Sequence, residues 1–495
     1  MTGRVRPAAA RALVFTASAA VLVLEILAGR LLAPWVGVTL ETFTAIIGTV
    51  LAGIATGGWL GGRAADRWDP RRLVGVLFAA GGSATLAIPP IVDVLGPTLT
   101  RDIPAAAVAL AGLGFFLPAA LLSAVTPAAV KATLTDLRHT GSVVGELSAF
   151  ATAGALAGTF VTGFFLVAAF GTRQVVAVLG VLLVAVGVVV GLRRREDAAL
   201  LVVPIALVGI WPAVAAPCHR ETVYYCARIV PDPDDPDLRV LWLDTLPHSA
   251  IHRDPTEVAF RYGRLVTDVV DVELEGPLRA TWIGGGGFGL PRWLDATRPG
   301  SRSVVLEVDE GLVDLAVEEL GIDVERFAVV VGDARVALRG LPPRWADLVV
   351  GDAFGGLAVP WHLTTVEFLE DVSRHLDADG VYVLNLIDYP PNGFARAEAA
   401  TLLEVFDHVA LLAPPDFLEG RAGGNFVFVA ANRPLRLDPL AARLRARGAA
   451  SVVVSGEALE AWVGATRPLV DDRAPVDQLL TPPPRLPPRG RGEPG

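Results

Sequence analysis

Lysine is nearly missing from this chain. Lys131 stands alone, and arginine carries the rest of the positive charge. We read that as a genomic base bias, not as chemistry. Cysteine is as scarce, with only Cys218 and Cys226. A framework of several disulfides is thereby excluded, while one bridge and two free thiols both stay open. No CxxC pair and no Cys/His cluster occurs, so neither a zinc site nor any other metal is expected. Charged residues make up 19% of the 495 residues, and the net charge is −10. The longest basic run is Arg193 to Arg195. An acidic chain without a basic face is not expected to bind nucleic acid.

Apolar residues are plentiful. They form 53% of the chain, and the mean hydropathy is +0.51. The excess lies ahead of about residue 216. Segments 12–28, 43–62, 73–92, 104–125, 146–169, 174–192 and 198–216 are each close to the ~20 residues that span a bilayer core. The first comes after Arg4, Arg6 and Arg11 but is trailed by further apolar segments, as a spanning helix is and a cleaved signal is not.

Positive residues set the expected orientation. The even connections carry Arg63, Arg67, Arg71 and Arg72, then Lys131 and Arg138, then Arg193 to Arg195. The odd ones carry only Arg30, Arg101 and Arg173. The N-terminus is therefore expected in the cytoplasm of a multi-pass membrane protein, with the bilayer as partner. Six helices leave the C-terminal half in the cytoplasm; a seventh, 198–216, puts it outside. Both counts stay open. Glu25 and Glu146 fall within apolar helices, where charges usually face the bundle interior and serve function. The structural alternative is an interfacial Arg30–Glu41 pair and a snorkelling Glu146. SAFATAGALAGTFVTG (148–163) has the small residues that a close helix contact requires.

After Pro217 the pattern changes. RVLWLDT (239–245) and SAIHR (249–253) read as paired strands, and EVAFRYGRLVTDVV (257–270) as a helix. Buried strands then alternate with helices, which implies a parallel, doubly wound Rossmann-like sheet. The expected domains are a transmembrane helical domain (1–216), a small β-rich region (217–278), a Rossmann-like domain (279–480) and a disordered Pro/Arg-rich tail (481–495).

The chemistry gathers at strand ends. Gly284, Gly285, Gly286 and Gly287 come after the strand ATWIG, and such a loop lets backbone approach a ligand closely. Glu307 ends the next strand, about 20 residues on, where an acid can hold ribose hydroxyls. Asp309 lies two residues further. Asp333 with Ala334, then Asp352, end the next two strands. Each acid has a plain alternative, as a helix N-cap (Asp309, Asp333) or a solvated loop charge. The spacing is not GxGxxG, and there is no GKS or GKT after it, so neither NAD nor a triphosphate is expected.

With those residues in view, 239–480 resembles the spermidine synthase (polyamine aminopropyltransferase) family and, more broadly, class I AdoMet-dependent methyltransferases. The matching stretches are IGGGGFG, LEVD, GDA, DLVVGDAF and LTTVEFLEDVSRHLDADGVYVLNL. GGRAADRWDPRR (61–72) resembles a loop of the major facilitator superfamily, so the whole is similar to bacterial proteins that fuse a transporter-like half to a synthase-like domain. The resemblance implies decarboxylated AdoMet, or AdoMet, as donor and a polyamine or other amine as acceptor. It implies that the glycine loop, Glu307, Asp309, Asp333 and Ala334 hold the donor. Asp352 would be the general base, with His248, Tyr262 and Phe288 on the substrate side. A homodimer is compatible with it. Two family acids are absent: Phe288 stands where the loop usually has Asp, and Phe354 and Gly355 come after Asp352. These losses keep a non-catalytic nucleoside-binding module open beside the transferase, and methyl transfer is a further alternative.

Overall fold

The computed structural model describes residues 6–99, 103–191 and 217–481, with a few isolated positions besides. These fall into two compact units, Met1–Cys226 and Ala227–Gly495.

In the first unit, six helices among the described residues are long and apolar enough to cross a membrane. They are α1 (Pro7–Val36), α2 (Leu40–Arg67), α3 (Pro70–Leu99), α4 (Ala105–Thr133), α5 (Leu137–Ala169) and α6 (Thr172–Gly191). Most run beyond the apolar segment read from the sequence, because polar ends can stay helical once the middle is packed. Pro7 opens α1, where its missing N–H costs nothing. Thr39 caps α2 by accepting from the amide of Thr42 at 3.2 Å. Single π-helical turns interrupt α4 at Gly112–Phe116 and α5 at Thr162–Leu166. The core holds Leu27, Leu32, Phe78, Ile88 and Phe115. The small-residue stretch behaves as expected. Gly154 and Gly158 lie so close to the backbone of Phe15 and Ala19 that a Cβ at either would collide with it. The seventh segment, 198–216, lies outside the described residues except at isolated positions, as does nearly all of the 481–495 tail.

Two ion pairs differ from the expectation. Arg30 pairs with Glu221, not Glu41: its Nε reaches Oε1 at 3.3 Å and its Nη1 the carbonyl of Val223 at 2.7 Å. Glu146 does not snorkel alone but meets Arg11 at 2.6 Å. Sequence distance hid both partners. Cys218 and Cys226 are bridged, closing a short loop around Glu221. Glu221 also accepts from the backbone amide of Thr172 at 2.9 Å and from the Thr172 hydroxyl. The bridged loop is thus tied to the end of α1 and the start of α6.

In the second unit, β2 (Cys226–Pro231), β3 (Leu238–Leu243) and β4 (Leu246–His252) form an antiparallel meander; a two-residue strand, β1 (Arg220–Glu221), precedes them. Helix α7 (Arg261–Glu273) starts later than the sequence pattern suggests, because Val258 first bridges to Ile251.

The main sheet has eight strands in the order β12-β10-β11-β9-β8-β5-β6-β7. Its parallel part comprises β5 (Arg279–Ile283), β6 (Arg302–Glu307), β7 (Ala328–Val331), β8 (Ala346–Gly351) and β9 (Leu376–Asp388). Helices α8 (Gly289–Thr297), α9 (Glu310–Leu320), α10 (Ala334–Gly340) and α11 (Val366–His375) link them. The sheet is mixed, however, not wholly parallel. Helix α12 (Gly393–Val405) leads to β10 (His408–Ala413), which turns back into β11 (Gly424–Ala431), and β11 pairs antiparallel with both β9 and β10. A short return between neighbouring strands permits only antiparallel pairing. Helix α13 (Leu437–Ala446) then leads to β12 (Val452–Ser455) at the edge. Residues on both sheet faces are buried, with Ile283, Val349 and Leu384 on one side and Trp282, Val350 and Val383 on the other.

Candidate functional site

The sheet reverses its direction of winding at β5. From β5 the chain moves to β6 on one side, and it later returns to β8 on the other. Open α/β sheets bind ligands in the crevice at such a point, beyond the carboxyl ends of the strands. The glycine loop leaves β5 there and Asp352 leaves β8. The amide of Asp352 donates to the carbonyl of Ile283 at 2.8 Å, so the two strand ends are held side by side.

The loop is built for close approach. Gly284 has φ +97°, and a Cβ on it would lie 2.6 Å from the carbonyl oxygen of Asp352. Gly286 has φ +47° and lies against the Ser249 hydroxyl. The amide of Gly287 donates to Ser249 Oγ at 3.1 Å. Glu307 is buried at the end of β6. Its Oε2 accepts from the amides of Gly285 and Gly286 at 2.8 and 3.1 Å, and its Oε1 from that of Asp309 at 3.0 Å. These bonds make its carboxylate the support of the loop.

Asp309 is 1% exposed and caps α9 through the amide of Gly311 at 3.0 Å. Asp333 caps α10 through the amide of Val336 at 3.0 Å and also meets His362 Nε2 at 2.7 Å. Burial works to raise the Asp333 carboxyl, but the Val336 amide and His362 outweigh it and hold it low. Ala334 is buried in the first turn of α10.

Asp352 stands just past the end of β8, beside the glycine loop. Burial pushes its carboxyl up to about 7, against hydrogen bonds that favour the ionised form. Those bonds come from Asn385 Nδ2 to Oδ1 at 2.8 Å and from the Tyr262 hydroxyl to Oδ2 at 2.9 Å. Asn425 in turn donates to Asn385 Oδ1 at 2.9 Å. Tyr262 reaches the site from the first turn of α7, and burial first, then Asp352, raises its phenol well above the ordinary value. The cleft in front of Asp352 is lined by Tyr262, Gly284, Gly285, Ser249, Glu257 and Arg292, among others. A half-buried carboxyl with a pKa near neutrality can accept a proton from an incoming nucleophile at physiological pH.

One substrate-side expectation changes. Phe288 does not face the cleft. It is fully buried, with φ +56°, and stacks on Phe327 at 5.9 Å between ring centroids. A phenyl ring gains more from the core than from a wet crevice, which an acid at this place would not. His248 falls at an irregularity in the β3–β4 pairing, between Pro247 opposite Trp242 and Ser249 opposite Leu241, and sits edge-on to Phe354 at 6.4 Å. Burial lowers its pKa to about 4.

Sequence reasoning missed Asn385, Asn425, Ser249, His362 and Arg292. Only Asn385 carried a signal, as an amide inside the otherwise apolar run VLNLID (383–388).

No family model matches the chain. Among curated proteins, the polyamine aminopropyltransferase of Neisseria meningitidis serogroup A is 26% identical over 150 residues, 29% of this chain and 54% of that protein. The polyamine aminopropyltransferase of Vibrio vulnificus is 32% identical over 133 residues, 26% of this chain and 44% of its own. Among solved structures, a probable spermidine synthase from Corynebacterium glutamicum shares 27% identity, covers 51% of this chain and 95% of its own, and gives a TM-score of 0.48. This chain spans about half the length of the curated relatives it matches. The similarity lies in its C-terminal half, which is like polyamine aminopropyltransferases, and six long apolar helices precede that half.

Proposed function

We propose that the chain is a membrane-anchored transferase of the aminopropyltransferase kind, with Asp352 as general base. An amine would attack the carbon beside the sulfonium of an AdoMet-type donor, decarboxylated AdoMet in the plain form of the reading. The observation that carries it is the Asp352 carboxyl, poised near neutrality between Tyr262 and Asn385 and beside the glycine loop. Such a base removes the proton that an amine must lose. The acid-lined crevice suits a cationic donor, and Glu307 and Asp333 stand at the strand ends where ribose and adenine would lie.

Independently of the chemistry, we infer that the chain directly after Pro217 lies on the extracytoplasmic side. Glu221 is bound at Thr172, where α6 begins, while Gly191 ends α6 about 30 Å away by helix length. The described residues on either side of 192–216 therefore lie toward opposite ends of α6. The arginine-rich connections put the Gly191 end inside. A Cys218–Cys226 bridge suits an oxidising compartment.

A second reading, a non-catalytic nucleoside-binding module, draws on two observations. Phe288 is a core residue, and Gly355 stands where a second acid would be. An outside location, where AdoMet is scarce, also favours it. The test is release of methylthioadenosine by the full-length detergent-solubilised protein, given decarboxylated AdoMet and a panel of amines. Release that depends on the amine and disappears in Asp352→Asn supports the transferase. Nucleoside binding without release under any amine favours the module, and methylation of an acceptor from AdoMet would reassign the chemistry.

A further inference from the structure

Arg292 is a cation of the cleft that the proposed reaction leaves unused. It stands on the first turn of α8, directly after the glycine loop, and lines the same cleft as Tyr262, Gly284 and Asp352. Its guanidinium reaches two backbone carbonyls, those of His252 at 3.5 Å and Arg253 at 3.4 Å. Both are at the long limit of hydrogen bonding. The cleft holds two carboxylates, Glu257 and Asp352. Asp352 is engaged by Tyr262 and Asn385, and among the described residues no acid forms an ion pair with Arg292. Burial, with no acidic neighbour to oppose it, draws the Arg292 pKa down. A cation on the first turn of a helix also opposes the helix dipole. Among the described residues, then, this half-buried guanidinium lacks an anion.

We propose that Arg292 binds a carboxylate carried by a co-substrate whose amine or sulfonium end faces Asp352. The cleft would then take an amino-acid-type ligand, not a plain polyamine with a plain aminopropyl donor. The inference rests on the transfer reading above. A guanidinium fork fits a carboxylate in a bidentate manner. A guanidinium and carboxylates within one cleft complement a zwitterion, whereas a doubly charged phosphate would be repelled by Glu257 and Asp352. The carboxylate has two candidate sources, the methionine moiety of an intact AdoMet-type donor or an acceptor of the diamino-acid kind. The balance of atoms is the same for both. The amine nitrogen forms a bond to the carbon beside sulfur, and the carbon–sulfur bond breaks. Its electron pair stays on sulfur, leaving neutral methylthioadenosine, and the nitrogen's proton passes to Asp352.

Calorimetric titration of the full-length protein in detergent tests this. The ligands are methylthioadenosine, AdoMet against decarboxylated AdoMet, and, with methylthioadenosine present, ornithine against putrescine. The carboxylated member of one pair should bind about tenfold to a hundredfold more tightly, the range of a charge-assisted hydrogen-bond pair. The pair that discriminates identifies the source. Arg292→Gln should abolish the preference and Arg292→Lys should keep part of it, with methylthioadenosine binding within about threefold of wild type in both. Normal methylthioadenosine binding without discrimination in either pair overturns the proposal. A preference that survives Arg292→Gln does so too. If wild type and variants alike fail to bind methylthioadenosine, the transfer reading falls first and takes this proposal with it.

Discussion

The hydroxyl of Tyr262 donates to Oδ2 of Asp352 at 2.9 Å, joining the first turn of a helix to the end of a strand 90 residues later. The bond stabilises the ionised carboxylate, while burial favours the neutral acid, and the balance stands at about 7. Transfer should therefore rise with pH through about 7 as Asp352 loses its proton. Tyr262→Phe removes one donor to the charged form, so the acid limb of the kcat/KM profile should move up by about half to one pH unit. An unmoved limb in that variant would separate Tyr262 from the proton transfer.

Asp352→Asn keeps the shape and removes the proposed base. Activity should fall by about 10²- to 10⁴-fold, with methylthioadenosine affinity little changed. The same substitution has a stability signature. A carboxyl raised from 3.8 to about 7 keeps its proton in the folded state after the unfolded chain has lost it. Folding stability from this group is present at low pH and is lost as pH rises through that window. Asp352→Asn should thus gain melting temperature relative to wild type at pH 8 and gain little at pH 4. Equal differences at both values would argue against the raised pKa.

The bridged loop gives a topological prediction. In intact cells, Cys218 and Cys226 should resist an impermeant thiol reagent until a reductant is added, then react. A reporter fused after Pro217 should read as external. A cytoplasmic signal from that fusion, with freely reactive thiols in lysates, would place the domain inside.

Phe288 offers a test of where the lost acid went. Because the ring is fully buried against Phe327, Phe288→Asp should not restore an amine clamp. It should destabilise the domain by about 3–5 kcal/mol, as deletion of a buried aromatic does, with relief of the left-handed backbone offsetting part of that. A folded, equally stable variant that binds polyamines would show that position 288 turns outward.

Local signals were enough for seven apolar segments, six of which are long helices among the described residues, and for most strand and helix identities in the second half. Those signals are apolar runs of bilayer length, buried strands bounded by glycine and aspartate, and capping acids such as Asp309 and Asp333. They also brought Glu307, Asp333 and Asp352 to the strand ends, because a parallel sheet collects them along one edge. The remainder needed the folded molecule. Whether an acid holds a loop, caps a helix or waits as a base depends on partners far away in sequence. Glu307 turned to the glycine amides, Asp352 to Tyr262 and Asn385, and Arg30 to Glu221. The antiparallel β9–β11–β10 edge and the inward turn of Phe288 are likewise settled by packing. Such contacts lower the free energy only once the sheet exists, so no local pattern could encode them.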